Sequence, residues 1–146
     1  MRAHGKNLLY SALTVICIAF ILLTAPLFVQ SMTFLLTQVF GLLLIGWAIL
    51  AMRLNKTHHA KNLPKSIFLV TKGPYEIIRH PVYAGLLLIM SSYVQEYLTF
   101  SRFLVFVVLL VVTVLKINYE ESLLEEHMKE YTSYKAKTHR IIPYFY

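Results

Sequence analysis

The sequence is poor in cysteine, in charge and above all in acidic residues. One cysteine, Cys17, stands among 146 residues, so an intrachain disulfide is impossible and a cysteine-based zinc cluster has no ligands. Cys17 lies within an apolar run and reads as a small core or lipid-facing residue. Charged residues make up 14% of the chain and hydrophobic residues 58%, where a soluble domain carries about 25% charge. That balance excludes an ordinary soluble globule and places the chain in the membrane class. Seven acidic residues stand against fourteen Lys and Arg, for a formal charge of +7. In a soluble protein this excess raises the question of nucleic acid. Here the basic residues lie between apolar spans, where retention on the cytoplasmic side is the simpler cause, so no nucleic-acid partner is expected. His58 and His59 are adjacent, share no helix face and have no further ligands nearby, so no metal site is expected. Internal repeats and low-complexity segments are absent.

Long apolar runs are what the chain does have. Residues 1–7 are short and basic, and 8–29 are almost wholly apolar. A basic start before an apolar run resembles a signal peptide. This run, however, is as long as a bilayer-spanning helix needs, beyond the ~7–15 residues of a signal core. It reads as a first transmembrane helix, with Pro26 tolerated near its end. Gln30, Ser31, Met32 and Thr33 make a tight turn. Residues 34–52 form a second span, in which Gly41 and Gly46 permit close helix approach without small-xxx-small spacing. Trp47 packs there or sits near an interface. Residues 82–98 form a short third span and 100–118 a fourth, with Arg102 and Lys116 placed to snorkel to opposite interfaces. Good helix formers continue past Lys116 to Met128, so the fourth helix runs on out of the membrane, ahead of a basic, aromatic tail at 131–146.

The expected fold is all-α: a single multi-pass membrane domain over 1–146 with about four transmembrane helices, the last extending into the cytoplasm. Thirteen of the fourteen Lys and Arg fall on one side of such a bundle, Arg102 being the exception. Both termini and the 53–80 segment are therefore expected to face the cytoplasm. Within that segment the apolar stretch 67–70 dips into the interface or covers a site. The pattern sets no oligomeric state.

One polar stretch, 71–85, opens directly into the third span. Gly73 and Pro74 signal a turn, because Gly tolerates positive φ and Pro fixes its own. Pro81 reads as the first residue of a helix, where its missing N–H costs nothing. The free N–H groups of that first turn, aided by the helix dipole, make an anion site, and Arg79 and His80 stand just before it. The same stretch also reads as a basic loop marking the cytoplasmic side of a membrane helix. Glu120 and Glu121 lie where the fourth helix leaves the bilayer, where uncompensated carboxylates are costly. They read as a cation site or, paired with Lys116 or Lys129, as a solvated face. Glu125, Glu126 and Glu130 fit a solvated face well. A ligand with one carboxylate and nearby positive centres satisfies both halves. The amino-acid end of S-adenosylmethionine has that pattern.

The motif Gly73, Pro74, Tyr75, then Arg79, His80, Pro81, Val82, Tyr83, Ala84, Gly85, then Glu120, Glu121 and Leu124, then Tyr131, Tyr134, Arg140 and Pro143 resembles the isoprenylcysteine carboxyl methyltransferase family. The related phospholipid methyltransferases share much of it. Met128 and Lys129 stand where members often carry Phe-Gly. The resemblance covers 70–143. It implies a multi-pass enzyme with an S-adenosylmethionine pocket facing the cytoplasm. In it Gly73, Pro74 and Tyr75 would form a backbone wall, with Arg79 and Pro81 at the anion site. His80 and Tyr83 would contact the cofactor, Glu120 with Glu121 would hold its ammonium, and Arg140 would cover the pocket or meet the acceptor. Direct methyl transfer needs chiefly alignment and exclusion of water. The resemblance implies a lipid or prenylated acceptor drawn from the bilayer: a prenylcysteine-type carboxylate, with a phospholipid or small amine as the alternative. A sterol-type reductase, which shares a His-Pro-x-Tyr region, and a non-catalytic membrane protein are the competing classes. The paired glutamates speak against the reductase.

Overall fold

The apolar runs become helices, and the stops between them set their ends. The computed structural model describes residues 2–26, 29–59 and 69–143. Five α-helices follow in order: α1 (Arg2–Thr24), α2 (Met32–His59), α3 (Pro81–Glu96), α4 (Phe100–His127) and the short α5 (Lys129–Lys135). Among the described residues there is no strand, only one isolated parallel bridge between Ile78 and His139. α1 ends at Thr24 rather than at 29, because Pro26 cannot donate to a continuing helix. α2 outruns its expected end by a full turn and more, to His59, since nothing in that stretch breaks a helix. α4 runs unbroken through Glu120 and Glu121 to His127, as its composition requires. It ends at Met128, which is extended (φ −133°, ψ 106°), and the chain restarts at once as α5. Most of the expected apolar stretch 67–70 lies outside the described residues; Leu69 and Val70 are half-buried.

α1, α2 and α4 are each long and apolar enough to cross a membrane, which makes this an integral membrane protein. Large apolar side chains such as Leu23, Leu43 and Phe103 are exposed, as lipid-facing positions require. α3 has 16 residues, a rise of ~24 Å, short of the ~30 Å hydrocarbon core.

α2 packs along α3, and α1 along α4. The first contact depends on two glycines that face each other. A Cβ at Gly41 would stand 2.8 Å from the Gly85 carbonyl oxygen, and one at Gly85 would stand 2.6 Å from that of Gly41. Gly46 meets nothing within 4 Å, so of the two glycines in the second span only Gly41 brings helices together. The pairs join through a core of Cys17, Ile21, Met90, Val94 and Leu109, which makes Cys17 a core residue.

At one end of the bundle two charged side chains bind helix termini. Glu96 Oε1 accepts from the backbone N–H groups of Gln30 (3.2 Å) and Ser31 (3.1 Å) at the start of α2. Arg102 donates to the carbonyls of Tyr97 (2.5 Å) and Thr24 and to the Thr24 hydroxyl (3.2 Å), at the ends of α3 and α1. Each charge binds a helix terminus whose dipole favours it, Glu96 the start of α2 and Arg102 the ends of α1 and α3. Arg102, placed to snorkel, is instead a helix clasp.

Candidate functional site

The opposite end is built on Glu121. Residues 120 and 121 are adjacent on α4, so their side chains diverge by about 100°. Glu121 turns inward and is 2% exposed. Its Oε1 accepts from Arg79 Nε at 2.8 Å, and its Oε2 accepts from Arg140 Nε (3.1 Å) and Nη2 (2.9 Å). Lys135 Nζ stands 3.8 Å away. A carboxylate so deeply buried is tolerable only with such compensation.

Arg79 also donates to the carbonyls of Lys135 (3.1 Å) and Thr138, closing the end of α5. Around these charges the backbone forms a short ladder. Arg79 N–H donates to His139 O (2.7 Å), His80 N–H to Arg140 O (3.0 Å), and His139 N–H to Ile77 O (3.0 Å). Tyr134 adds a third tie, its hydroxyl donating to Tyr75 O at 2.7 Å. Loop, fourth helix and tail are thereby one unit. Burial raises the hydroxyl pKa of Tyr75 and Tyr131 above the ordinary tyrosine value, and pushes that of Tyr134 up to about 12.

Glu120 points the other way, toward α3. The Tyr83 hydroxyl donates to its Oε1 at 2.7 Å, while its Oε2 lies 4.0 Å from His80 Nδ1 and its side chain is 31% exposed. This carboxylate is oriented yet accessible. His80 is 9% exposed and its ring stacks on Tyr83, with centroids 5.7 Å apart. Its Nε2 lies 3.4 Å from Glu121 Oε1, but alignment is poor and that nitrogen makes no hydrogen bond. Pro81 is the first residue of α3 as expected, which puts Tyr83 in the first turn.

The turn before α3 is a 3-10 helix, Gly73–Glu76. Gly73 has φ +67°, and a Cβ there would stand 3.2 Å from Trp47 Nε1 and 3.3 Å from Ala51 Cβ. Its glycine is required twice over, by conformation and by space. Pro74 and Tyr75 are buried. Beneath them, between α2 and α3, lies an apolar cavity of about 510 Å³ whose lining includes Trp47, Leu88, Ile78 and Pro143.

The residues expected to form the site thus fall at this end, in three groups. Arg79, Glu121 and Arg140 bind one another. His80, Tyr83 and Glu120 cluster beside the first turn of α3, Glu120 partly exposed and His80 buried behind it. Pro74 lines the adjoining cavity, with Gly73 and Tyr75 beside it in the same turn. Sequence reasoning missed Lys135, Thr138 and the clasping role of Arg79. Its one usable signal was a guanidinium next to a turn rich in backbone carbonyls.

A family model described as phospholipid methyltransferase matches residues 29–131. The chain belongs to the phospholipid methyltransferase family. No curated protein and no solved structure matches it. The family comprises methyltransferases that act on lipids, and its members generally take the methyl group from S-adenosylmethionine.

Proposed function

We propose that this phospholipid methyltransferase relative transfers a methyl group from S-adenosylmethionine to the head-group amine of a phospholipid at the cytoplasmic membrane face. All four long helices cross the bilayer, α3 by the shortest path, and the Glu121 end faces the cytoplasm with both termini. The distribution of Lys and Arg supports that orientation.

The observation that carries the reading is the divergence of the two glutamates. Glu121 is engaged by Arg79 and Arg140, whereas Glu120 is held by Tyr83 and its side chain stays 31% exposed. The residues fit the cofactor: Glu120 for its ammonium, the first turn of α3 for its carboxylate, and the His80 ring beside them, with Nδ1 toward Glu120. When bound, the sulfonium supplies an electrophilic methyl carbon. The protein's part is to hold donor and acceptor in line and to keep water out. Pro74 and the bonded tail, which reaches the cavity at Pro143, support that enclosure. An amine acceptor must shed a proton before its nitrogen attacks the methyl carbon.

The apolar cavity suits a lipid chain, and burial contributes ~0.8 kcal/mol per CH₂. Arg140, if it met the acceptor, would favour an anionic carboxylate such as a prenylcysteine. Its guanidinium is instead engaged by Glu121, and an amine acceptor agrees with the family. The test is transfer of radiolabel from S-adenosylmethionine into organic-soluble product by purified protein. Label in phospholipid amines, rising steeply with acyl length, is expected. Label only in prenylcysteine carboxylates, or equal rates for short and long chains, would overturn this reading.

A further inference from the structure

The site has two carboxylates and four cations, and three of the cations, Arg79, Arg140 and Lys135, surround Glu121. The fourth is Lys116. It lies one helical turn before Glu120, so both occupy one face of α4. It follows an apolar run, 103–115, broken only by Thr113. Its Nζ donates to Ser11 Oγ of α1 at 3.0 Å and stands 5.5 Å from the centroid of the Tyr83 ring. A hydroxyl and an aromatic face stabilise an ammonium without neutralising it. Among the described residues no carboxylate stands within ion-pair distance of Nζ. A cation in this setting, without a counter-charge, marks a functional position whose partner is an anion.

The anion is fixed by what stands around it. Tyr83 occupies the first turn of α3, where backbone N–H groups favour negative charge. Its ring receives Lys116 and its hydroxyl holds Glu120. One side chain therefore separates a positive and a negative group that neighbour each other on α4. We infer that Lys116 and Glu120 together bind the zwitterionic α-amino-acid end of the methyl donor, Lys116 and the first turn of α3 taking the carboxylate and Glu120 the ammonium. This rests on the reading of the chain as an S-adenosylmethionine enzyme. It gives Lys116 the role first expected of Arg79, whose charge is engaged by Glu121 and the tail.

The test is calorimetric binding to the purified full chain, with no acceptor present, using S-adenosylmethionine and its decarboxylated form. Lys116→Gln is expected to weaken S-adenosylmethionine binding about ten-fold to a hundred-fold, the usual effect of losing a charge-assisted contact. It should leave binding of the decarboxylated form unchanged, and Lys116→Arg should restore most of the loss. Wild-type protein that binds S-adenosylmethionine while Lys116→Gln matches it overturns the inference alone. So does an equal loss for both donors, or a variant whose only change is a higher KM for phospholipid, which would assign the ammonium to the lipid phosphate. Absence of any binding to wild-type protein would instead remove the underlying reading. Melting temperature of each variant, read alongside, separates lost contacts from lost fold.

Discussion

The two ends of the bundle use charge differently. At the Glu96 end, a carboxylate and a guanidinium bind the backbone at helix termini. At the Glu121 end, side chains bind one another across loop, helix and tail, and Glu120 and Lys116 keep charged groups that are partly exposed. Charges that satisfy backbone groups stabilise helices and recognise nothing. Charges that position other charges build a site. Under the proposed function, the comparison separates a stability end from a function end.

The largest break in that comparison is expected from Glu121→Gln. It leaves Arg79 buried beside a neutral amide, and breaking such a pair costs ~3–5 kcal/mol. The melting temperature in detergent should fall sharply and the 129–143 tail should become protease-sensitive. An intact tail would show that the backbone ladder alone holds it. Next is Gly85→Val, which places a side chain against the Gly41 carbonyl. A loss of ~1–3 kcal/mol is expected, with Gly46→Ala silent in the same melting assay. Tyr134→Phe removes one hydrogen bond, worth ~0.5–1.5 kcal/mol. It also has a pH signature. With its folded pKa pushed up to about 12 from 10.0, the Tyr134 contribution is present below pH 10 and lost as pH rises toward 12. Alkaline melting curves of wild type and variant should converge across that window; a constant gap would contradict the buried hydroxyl. Smallest is Glu96→Gln at the other end, ~0.3–1 kcal/mol, visible as a slightly lower melting temperature with cofactor affinity unchanged.

Much of the fold could be read from composition. The long apolar runs, the start at Pro81 and the continuation of α4 past Lys116 follow from local chemistry, and α3 lies within two residues of its expected span, whereas α1 stops short of residue 29 and α2 runs seven residues past 52. The site was legible as two clusters but not as a geometry. Nothing local distinguishes Glu120 from Glu121, because which one turns inward depends on where Arg79 and Arg140 arrive. The pairing of Ile78 with His139 joins positions far apart in sequence, and no periodicity announces it. Gly85 was visible in the motif, yet its reason, Gly41 on another helix, belongs to packing. Lys116 looked like a snorkelling residue because its isolation from carboxylates becomes apparent only when all of its neighbours are in place.

The division between the two ends is tested most directly by the affinity of purified protein for S-adenosylmethionine in the Glu120→Gln variant. Glu120 is accessible and carries no part of the tail's attachment. A fall of about ten-fold to a hundred-fold at an unchanged melting temperature is expected. Unaltered affinity, or a loss matched by Glu96→Gln at the far end, would contradict the assignment of ligand recognition to the Glu120 face.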